Sequence, residues 1–427
     1  MKILLWTIKR YMYTKDLLAR LNIFVTVSRR SREIDLFLGL GKGHGRVFNG
    51  FLSRVGLGVS SPWFNRKELC HSNRGSIRRI SSTAICTKYT GSLLDPWFVT
   101  GFSDAECCFS ISIPWRRSLG IPSKNTDGDI SKSNNWVKAG VEAEFQIGLN
   151  IKDVELLHLI KASFEDSKAN SRTSSGKVGR IQQDKNKCFL RVSSLTELAR
   201  VVEHFDKYPL LTKKRQDYLI WREVVQMMLR KEHQTYEGIR YIIKLKSALN
   251  LGLSDKLRTE FNITYIEEEA AAEYKAKLGY EEFPLNPQWV AGFTSGEGNF
   301  MISLKKEGRL GKTPQLRFQL SQHLRDERLF LRLASYLECG KVYLRNNNTR
   351  QAVEFSVLNF TDNVEKIIPL FRGNAILGVK TLDFEDWSKA SEIMKVKGHL
   401  TQEGLDQICQ LKAGMNKGRY TNSPGTA

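Results

Sequence analysis

Metal and redox spacings are missing from this chain. Its seven cysteines, Cys70, Cys86, Cys107, Cys108, Cys188, Cys339 and Cys409, form no Cys-x-x-Cys pair, and its seven histidines are equally scattered. That argues against a zinc-finger nuclease or a Cys/His hydrolase. An odd, unpatterned set of thiols fits a reducing compartment and no structural metal. Also absent is any uncharged apolar run approaching the roughly 18 residues needed to span a bilayer, so no membrane partner is expected. Acidic residues are scarce at one end: residues 1–90 hold 17 Lys/Arg against 4 Asp/Glu, and the rest holds 49 against 41.

What is present is positive charge on a foldable chain. The formal net charge is +21, the pI is near 9.6 and hydrophobic residues make up 41%. A polyanion, nucleic acid first, is the partner such a balance suits. At 427 residues the chain is too long for one ordinary core, and two domains or more are expected. The basic first segment, 1–90, contains "SRRSRE" and Gly/Ser-rich stretches. It suits an organelle transit peptide, a flexible arm or a leader read in frame from upstream.

Beyond it the chain repeats itself. "DPWFVTGFSDAECCFSISI" at 95–113 pairs with "NPQWVAGFTSGEGNFMISL" at 286–304. "FQIGLNIKDVELLHLI" at 145–160 pairs with "FQLSQHLRDERLFLRL" at 318–333, and "PLLTKKRQDYLIW" at 209–221 with "AILGVKTLDFEDW" at 375–387. Three matches in one order make a duplicated domain. In each copy Asp95 or Asn286 caps a helix opened by proline. That helix ends at a glutamate, and strict alternation follows. Phe109, Ile111 and Ile113 alternate with Cys108, Ser110 and Ser112, and Leu316, Phe318 and Leu320 with Gln315, Arg317, Gln319 and Ser321. Period two with one polar face predicts a half-buried antiparallel sheet. Each half then reads helix, two strands, helix, two strands, and one long closing helix. The expected division is 1–90 basic extension, 91–251 first repeat, 252–285 acidic helical linker, 286–412 second repeat and 413–427 polar, unstructured tail. A polar insertion, 116–135, lengthens one strand loop of the first repeat.

Gly101 and Ala105, and Gly292 and Gly296, make small-residue stripes at i and i+4 on which helix backbones can approach closely. If the stripes face each other, the halves pair about a pseudo-twofold axis and Glu106 meets Glu297 at the bottom. Two carboxylates forced together repel unless a proton or cation is shared. Oxygen ligands near phosphate suit Mg²⁺, with Mn²⁺ a substitute.

"VTGFSDAEC" and "VAGFTSGEG" resemble the paired motif of the LAGLIDADG homing endonucleases, in particular the single-chain, two-repeat members encoded in organelle introns. The resemblance spans about 91–412. It implies an α+β fold of two αββαββα domains with saddle-forming antiparallel sheets, and a metal-dependent, site-specific cut of double-stranded DNA. It places the essential acids at Glu106 and Glu297, extra metal-ligand carbonyls at Ala105 and Gly296, and solvent-organising glutamines at Gln146 and Gln319. Basic residues at the late helix fall on Lys214, with Lys213 a neighbouring competitor, and on Lys380. It further implies a mitochondrial monomer.

By alternation Glu142, Glu144, Gln315, Arg317 and Ser321 point from the sheets as candidate base readers, and Arg345 and Arg350 flank a hairpin turn. Cys107 departs from the pattern, which has glycine after the acid, as at Gly298. If that position needs a positive φ, Cys107 costs roughly 1 kcal/mol and shifts Glu106, weakening cleavage of one strand. Two other readings stay open: a group I intron RNA maturase, and a relic that binds DNA without cutting. The retained glutamates favour the nuclease.

Overall fold

Asp95 and Asn286 start the two helices that organise the molecule. The computed structural model describes residues 22–27, 34–39, 93–114, 140–165, 177–250, 252–279, 281–306, 308, 310–347 and 350–421. The chain divides into two units, Met1–Ser76 and Ile77–Ala427. In the first, β1 (Asn22–Val27) and β2 (Ile34–Gly39) pair antiparallel, with Asn22 opposite Gly39. The rest of the basic extension and the 116–135 insertion lie outside the described residues. Among those described, no helix is long and apolar enough to cross a membrane.

In the second unit α1 (Pro96–Glu106) begins where the Asp95 carboxylate accepts the Trp97 N–H at 2.8 Å, with proline in its first turn. After it come β3 (Cys107–Ser112), β4 (Glu142–Asn150), α2 (Val154–Phe164), β5 (Arg180–Asp184) and β6 (Lys187–Val192). The second half repeats this order. Its α8 (Pro287–Glu297) is capped by Asn286, which accepts the Gln288 N–H at 2.8 Å. Then follow β7 (Asn299–Lys305), β8 (Thr313–His323), α9 (Glu327–Leu337), β9 (Lys341–Asn347) and β10 (Arg350–Val357). Two antiparallel four-stranded sheets result, ordered β3-β4-β6-β5 and β7-β8-β10-β9. The αββαββα order inferred from the duplication is therefore present twice.

Alternation decides which face of each sheet is buried. Phe109 lies opposite Phe145, and Phe300 opposite Phe318. Behind them Phe205, Tyr218 and Trp221 pack in the first half, and Phe371, Phe384 and Trp387 in the second. The polar partners in the alternation, Cys108, Gln146, Arg317 and Gln319 among them, stay at least partly exposed on the other face.

One long closing helix was expected in each half, and the structure has several. In the first half these are α3 (Leu195–Lys207), α4 (Lys214–Leu229) and α5 (Tyr236–Ser247). In the second they are a helical segment at 360–373 with a π turn over Asn363–Ile367, then α10 (Lys380–Lys395) and α11 (Gln402–Ala413). The breaks after α4 and α10 sit on Lys231 and Lys397, at φ 63° and 57°. Lysine carries no turn signal, so periodicity alone runs these helices together. Thr235 and Thr401 then cap the next helices by accepting the N–H of Gly238 and Gly404.

The acidic stretch between the halves forms α6 (Asp255–Glu260) and α7 (Tyr265–Lys277), the latter opened by a Thr264/Glu267 capping box. Part of the tail expected to be unstructured packs on the second repeat. Met415 is buried, the Asn416 side-chain amide donates to the Phe300 carbonyl at 3.0 Å, and Arg419 pairs with Asp383 and Asp386. Asn250 does the same for the first half, donating to the Phe109 carbonyl at 3.0 Å. Each repeat thus closes on an asparagine that grips its own first strand.

Burial also gives the fold an acid-sensitive point. Thr100 Oγ1 donates to the Tyr208 carbonyl at 2.9 Å, so the His204 Nε2 beside it at 3.1 Å must carry its proton and donate to that hydroxyl. Burial pulls His204 down to about 4. The unfolded chain takes this proton first as pH falls below about 6.5. The His204 contribution to stability should therefore fall between that value and pH 4 and level off below, by about 3 kcal/mol in all. Denaturant melts of wild type and His204→Gln across pH 4–7 check this, since the variant should lose that slope.

Candidate active site

The site lies where α1 and α8 end together. The two helices touch backbone to backbone. A Cβ on Gly101 would come within 2.1 Å of the Trp289 carbonyl oxygen, and one on Gly292 within 2.1 Å of the Phe98 carbonyl oxygen. Four residues on, a Cβ on Gly296 would meet the Ala105 Cβ at 2.4 Å and the Glu106 Oε1 at 3.3 Å. The Glu106 carboxylate therefore lies over the end of the opposite helix. Both Glu106 and Glu297 are pushed up by burial, and the Glu106 charge raises Glu297 further. The lysines Lys380 and Lys214 oppose this at both carboxyls.

Each lysine opens a late helix, α4 or α10. Lys214 Nζ donates to the carbonyls of Ser103 at 3.1 Å and Ala105 at 3.3 Å, and Lys380 Nζ donates to the Gly296 carbonyl. Of the adjacent pair Lys213 and Lys214, the second is the one whose ammonium reaches this helix end. Burial pulls Lys380 down to about 8 against the raising pull of four carboxylates.

The segments feeding α4 and α10 are pinned from inside the helix pair. Asp104 accepts the N–H of Leu211 at 2.8 Å, the Thr212 hydroxyl at 2.6 Å and the Trp289 indole at 2.8 Å. Its counterpart Ser295 accepts the N–H of Leu377 at 3.1 Å.

Beside the Glu106 carboxylate opens a cavity of about 470 Å³, bordered by Glu106, Asp153, Lys187, Gly296, Lys380 and Asp383. Gln146 and Gln319 sit on the open sheet faces, opposite Cys108 and Asn299 respectively. Glu142, Gln315, Arg317 and Ser321 lie on the same faces. Glu144 does too, 3.9 Å from the Arg191 guanidinium. Arg345 is engaged by Glu354 at 3.3 Å, and the Arg350 side chain lies outside the described residues. Arg180, Lys187, Phe189 and Arg191 extend the first face across β5 and β6. They escape the sequence reading because the second strand pair there has no clean alternation.

The Ala105 and Gly296 carbonyls each accept from an ammonium group, and the charge of both lysines acts on the Glu106 and Glu297 carboxylates. Such oxygen ligands fit a hard divalent cation completed by phosphate and water. Among the described residues no group of three His, Cys, Asp or Glu is placed to hold a metal by itself.

Cys107 requires a correction. Its φ is −82° and that of Gly298 is −69°, both extended. No positive φ is needed, and the strain expected at Cys107 does not exist. Glycine at 298 answers to space instead, because a Cβ there would meet Thr294 Cγ2 at 2.4 Å and the Thr294 carbonyl oxygen at 2.5 Å. The equivalent neighbour of Cys107 is Ser103, which lacks that methyl. The Cys107 thiol is buried in the core and pushed up to about 12, hence neutral. Cys107→Gly should lower stability by about 1–2 kcal/mol without raising any cleavage rate. Thermal melts and a strand-resolved cleavage assay read the two effects separately.

The family model described as LAGLIDADG endonuclease matches residues 99–225 and 290–391. The chain belongs to that family. "Probable intron-encoded endonuclease 2" of Neurospora crassa is 35% identical over 338 residues, covering 76% of this chain and 68% of the relative. "Probable intron-encoded endonuclease 3" of the same fungus is 30% identical, and there the match covers 74% of this chain but spans only 54% of the relative. Among solved structures of LAGLIDADG proteins, the homing endonuclease I-GzeII in complex with its DNA target is 33% identical. Its TM-score is 0.62, with 76% of this chain and 99% of that one covered. I-SmaMI bound to uncleaved DNA in the presence of calcium ions is 34% identical, TM-score 0.62, with 76% and 99% covered.

Proposed function

We propose that this chain is a site-specific double-strand DNA endonuclease of the intron-homing type. It acts as a monomer in the mitochondrion, on a long asymmetric target. The observation that carries this reading is the meeting of Glu106 and Glu297 at the end of two backbone-packed helices, each beside a lysine and below a polar sheet face. Glu106, Glu297 and the carbonyls of Ala105 and Gly296 would hold divalent metal, Mg²⁺ with Mn²⁺ as a substitute. When bound, that metal supplies an activated water and neutralises the leaving oxygen.

The chain's own groups do the rest. Lys214 and Lys380 offset charge that builds on the phosphate, from positions fixed before DNA arrives. Gln146 and Gln319 orient water from the sheet side. The two sheet faces, with Glu142, Glu144, Gln315, Arg317, Ser321, Arg345 and Arg350 among their residues, follow successive major grooves, where each base pair presents a distinct pattern. The target is asymmetric because the two faces carry different residues. Affinity should fall steeply with salt as phosphate contacts release counterions.

The test is cutting of duplex DNA carrying the uninterrupted insertion site of the encoding intron. Staggered, Mg²⁺-dependent cleavage supports the reading. Tight binding without cutting rejects it for a DNA-binding relic, and accelerated splicing of the intron RNA without cutting rejects it for a maturase.

A further inference from the structure

A matched pair of aspartates outside the paired motif crosses between the repeats. After β4 and β8 the chain makes equivalent short 3-10 turns, Ile151–Asp153 and Leu324–Asp326. Each turn is set by the residue before it: Asn150 accepts the Lys152 N–H at 3.1 Å, and His323 accepts the Arg325 N–H at 3.1 Å. This leaves Asp153 and Asp326 at the N-cap positions of α2 and α9, where an aspartate ordinarily caps its own helix. Neither side chain does so. Asp153 Oδ1 instead accepts the N–H of Val379 at 2.7 Å, and Asp326 Oδ1 accepts the N–H of Lys213 at 2.6 Å.

Val379 and Lys213 are the N-caps of α10 and α4, one residue ahead of Lys380 and Lys214. The first repeat therefore holds the start of the second repeat's late helix, and the second holds the first's. The fit is tight on one side. Gly378 has φ +76°, and a Cβ there would stand 2.5 Å from Asp153 Oδ1. Asp326 is only 4% exposed. A carboxylate at a helix start also meets the positive end of the helix dipole, so charge and geometry act in the same direction.

We infer that Asp153 and Asp326 are positioning residues, each holding in place the lysine of the opposite repeat, so that neither lysine is set unless both repeats are docked. This rests on the endonuclease reading for its effect on rate, but the crossed bond itself does not. Its consequence is that the two halves of the site are assembled together, which suits an enzyme whose two cuts must occur in one encounter.

The test compares Asp153→Ala, Asp153→Asn, Asp326→Ala and Asp326→Asn in the full chain, alone and combined with Lys214→Ala or Lys380→Ala. Each alanine variant should cut at about 10- to 100-fold lower single-turnover rate, the range for loss of an orienting partner, with DNA affinity within about twofold. Each asparagine variant should recover most of the rate, because its carbonyl oxygen still accepts the same N–H. Coupling should run crosswise. Asp153→Ala should add little to Lys380→Ala yet multiply with Lys214→Ala, and Asp326→Ala the reverse.

Amide exchange reads the bond without cleavage. Asp153→Ala should expose the Val379 N–H and leave Lys213 protected, and Asp326→Ala should do the opposite. Wild-type rates in the alanine variants, losses that track affinity, or coupling to the lysine of the same repeat would overturn the inference. So would unchanged protection at Val379 and Lys213. If wild type does not cut but protection is lost crosswise, the endonuclease reading falls and the crossed support of each lysine stands.

Discussion

Glu106→Gln and Glu297→Gln should each lower double-strand cutting by about 1,000-fold or more while raising the melting temperature. The rate loss follows from what the carboxylates do in the proposed site. Each supplies negative oxygen to a cation that must stabilise charge in the transition state, and a factor of about 1,000 corresponds to roughly 4 kcal/mol. Glutamine keeps the shape and one oxygen but loses the charge.

The gain in stability follows from the same geometry. Glu106 lies against Gly296, both acids are largely removed from water, and a neighbouring carboxylate disfavours the charge of each, Asp153 at Glu106 and Glu106 at Glu297. With only Lys214 and Lys380 to offset two buried carboxylates, neutralising one relieves repulsion and desolvation together. A functional site that costs stability in this way is common. Duplex binding measured without cleavage should change little. Cleavage at wild-type rate in either variant would remove that glutamate from the chemistry. A lowered melting temperature would show that the lysines more than balance the pair.

Much of this was legible in the residues because the chain states it twice. A period-two pattern in "FSISI" is weak alone. The same pattern behind the same capped, small-residue helix 191 positions later leaves few other folds. The sheets, the helix pair and the placement of Glu106 beside Glu297 follow from that doubling. The misses share a different cause. Lys231 and Lys397 end helices in a left-handed conformation that lysine seldom adopts. Asp153 and Asp326 look like caps of their own helices, and only the packing of one repeat on the other sends them across. At Cys107 the usual reason for glycine at a helix end, a positive φ, does not apply, and the constraint at Gly298 is close contact with the residue four positions earlier. Local periodicity reports local structure, and these features are set by contacts between segments far apart in the chain.

The helix pair on which all of this depends should be the least tolerant place in the molecule. Gly101→Ala or Gly292→Ala should cost about 3 kcal/mol or more, at the upper end of overpacking effects. Elsewhere in a helix the same change is favourable by up to about 1 kcal/mol, because alanine loses less backbone freedom. Here each new methyl would point at a carbonyl oxygen of the facing helix, 2.1 Å from the nearest atom. The obstruction is backbone, so no rotamer change relieves it, and α1 and α8 must move apart along their whole contact.

Separation would also loosen Trp289 from Asp104 and draw Glu106 away from Gly296, so cutting should fall even at temperatures where the variant stays folded. Gly373→Ala is the matched control, since a Cβ there meets nothing within 4 Å. Chemical denaturation of the three variants, with cleavage measured well below each midpoint, separates the effects. A Gly101→Ala or Gly292→Ala protein as stable as the Gly373→Ala control would mean that the helices are not packed as closely as described. Full stability with lost cutting would place the effect in the carboxylates alone. Lost stability with cutting preserved in the folded fraction would show that the acids hold their places without the helix contact.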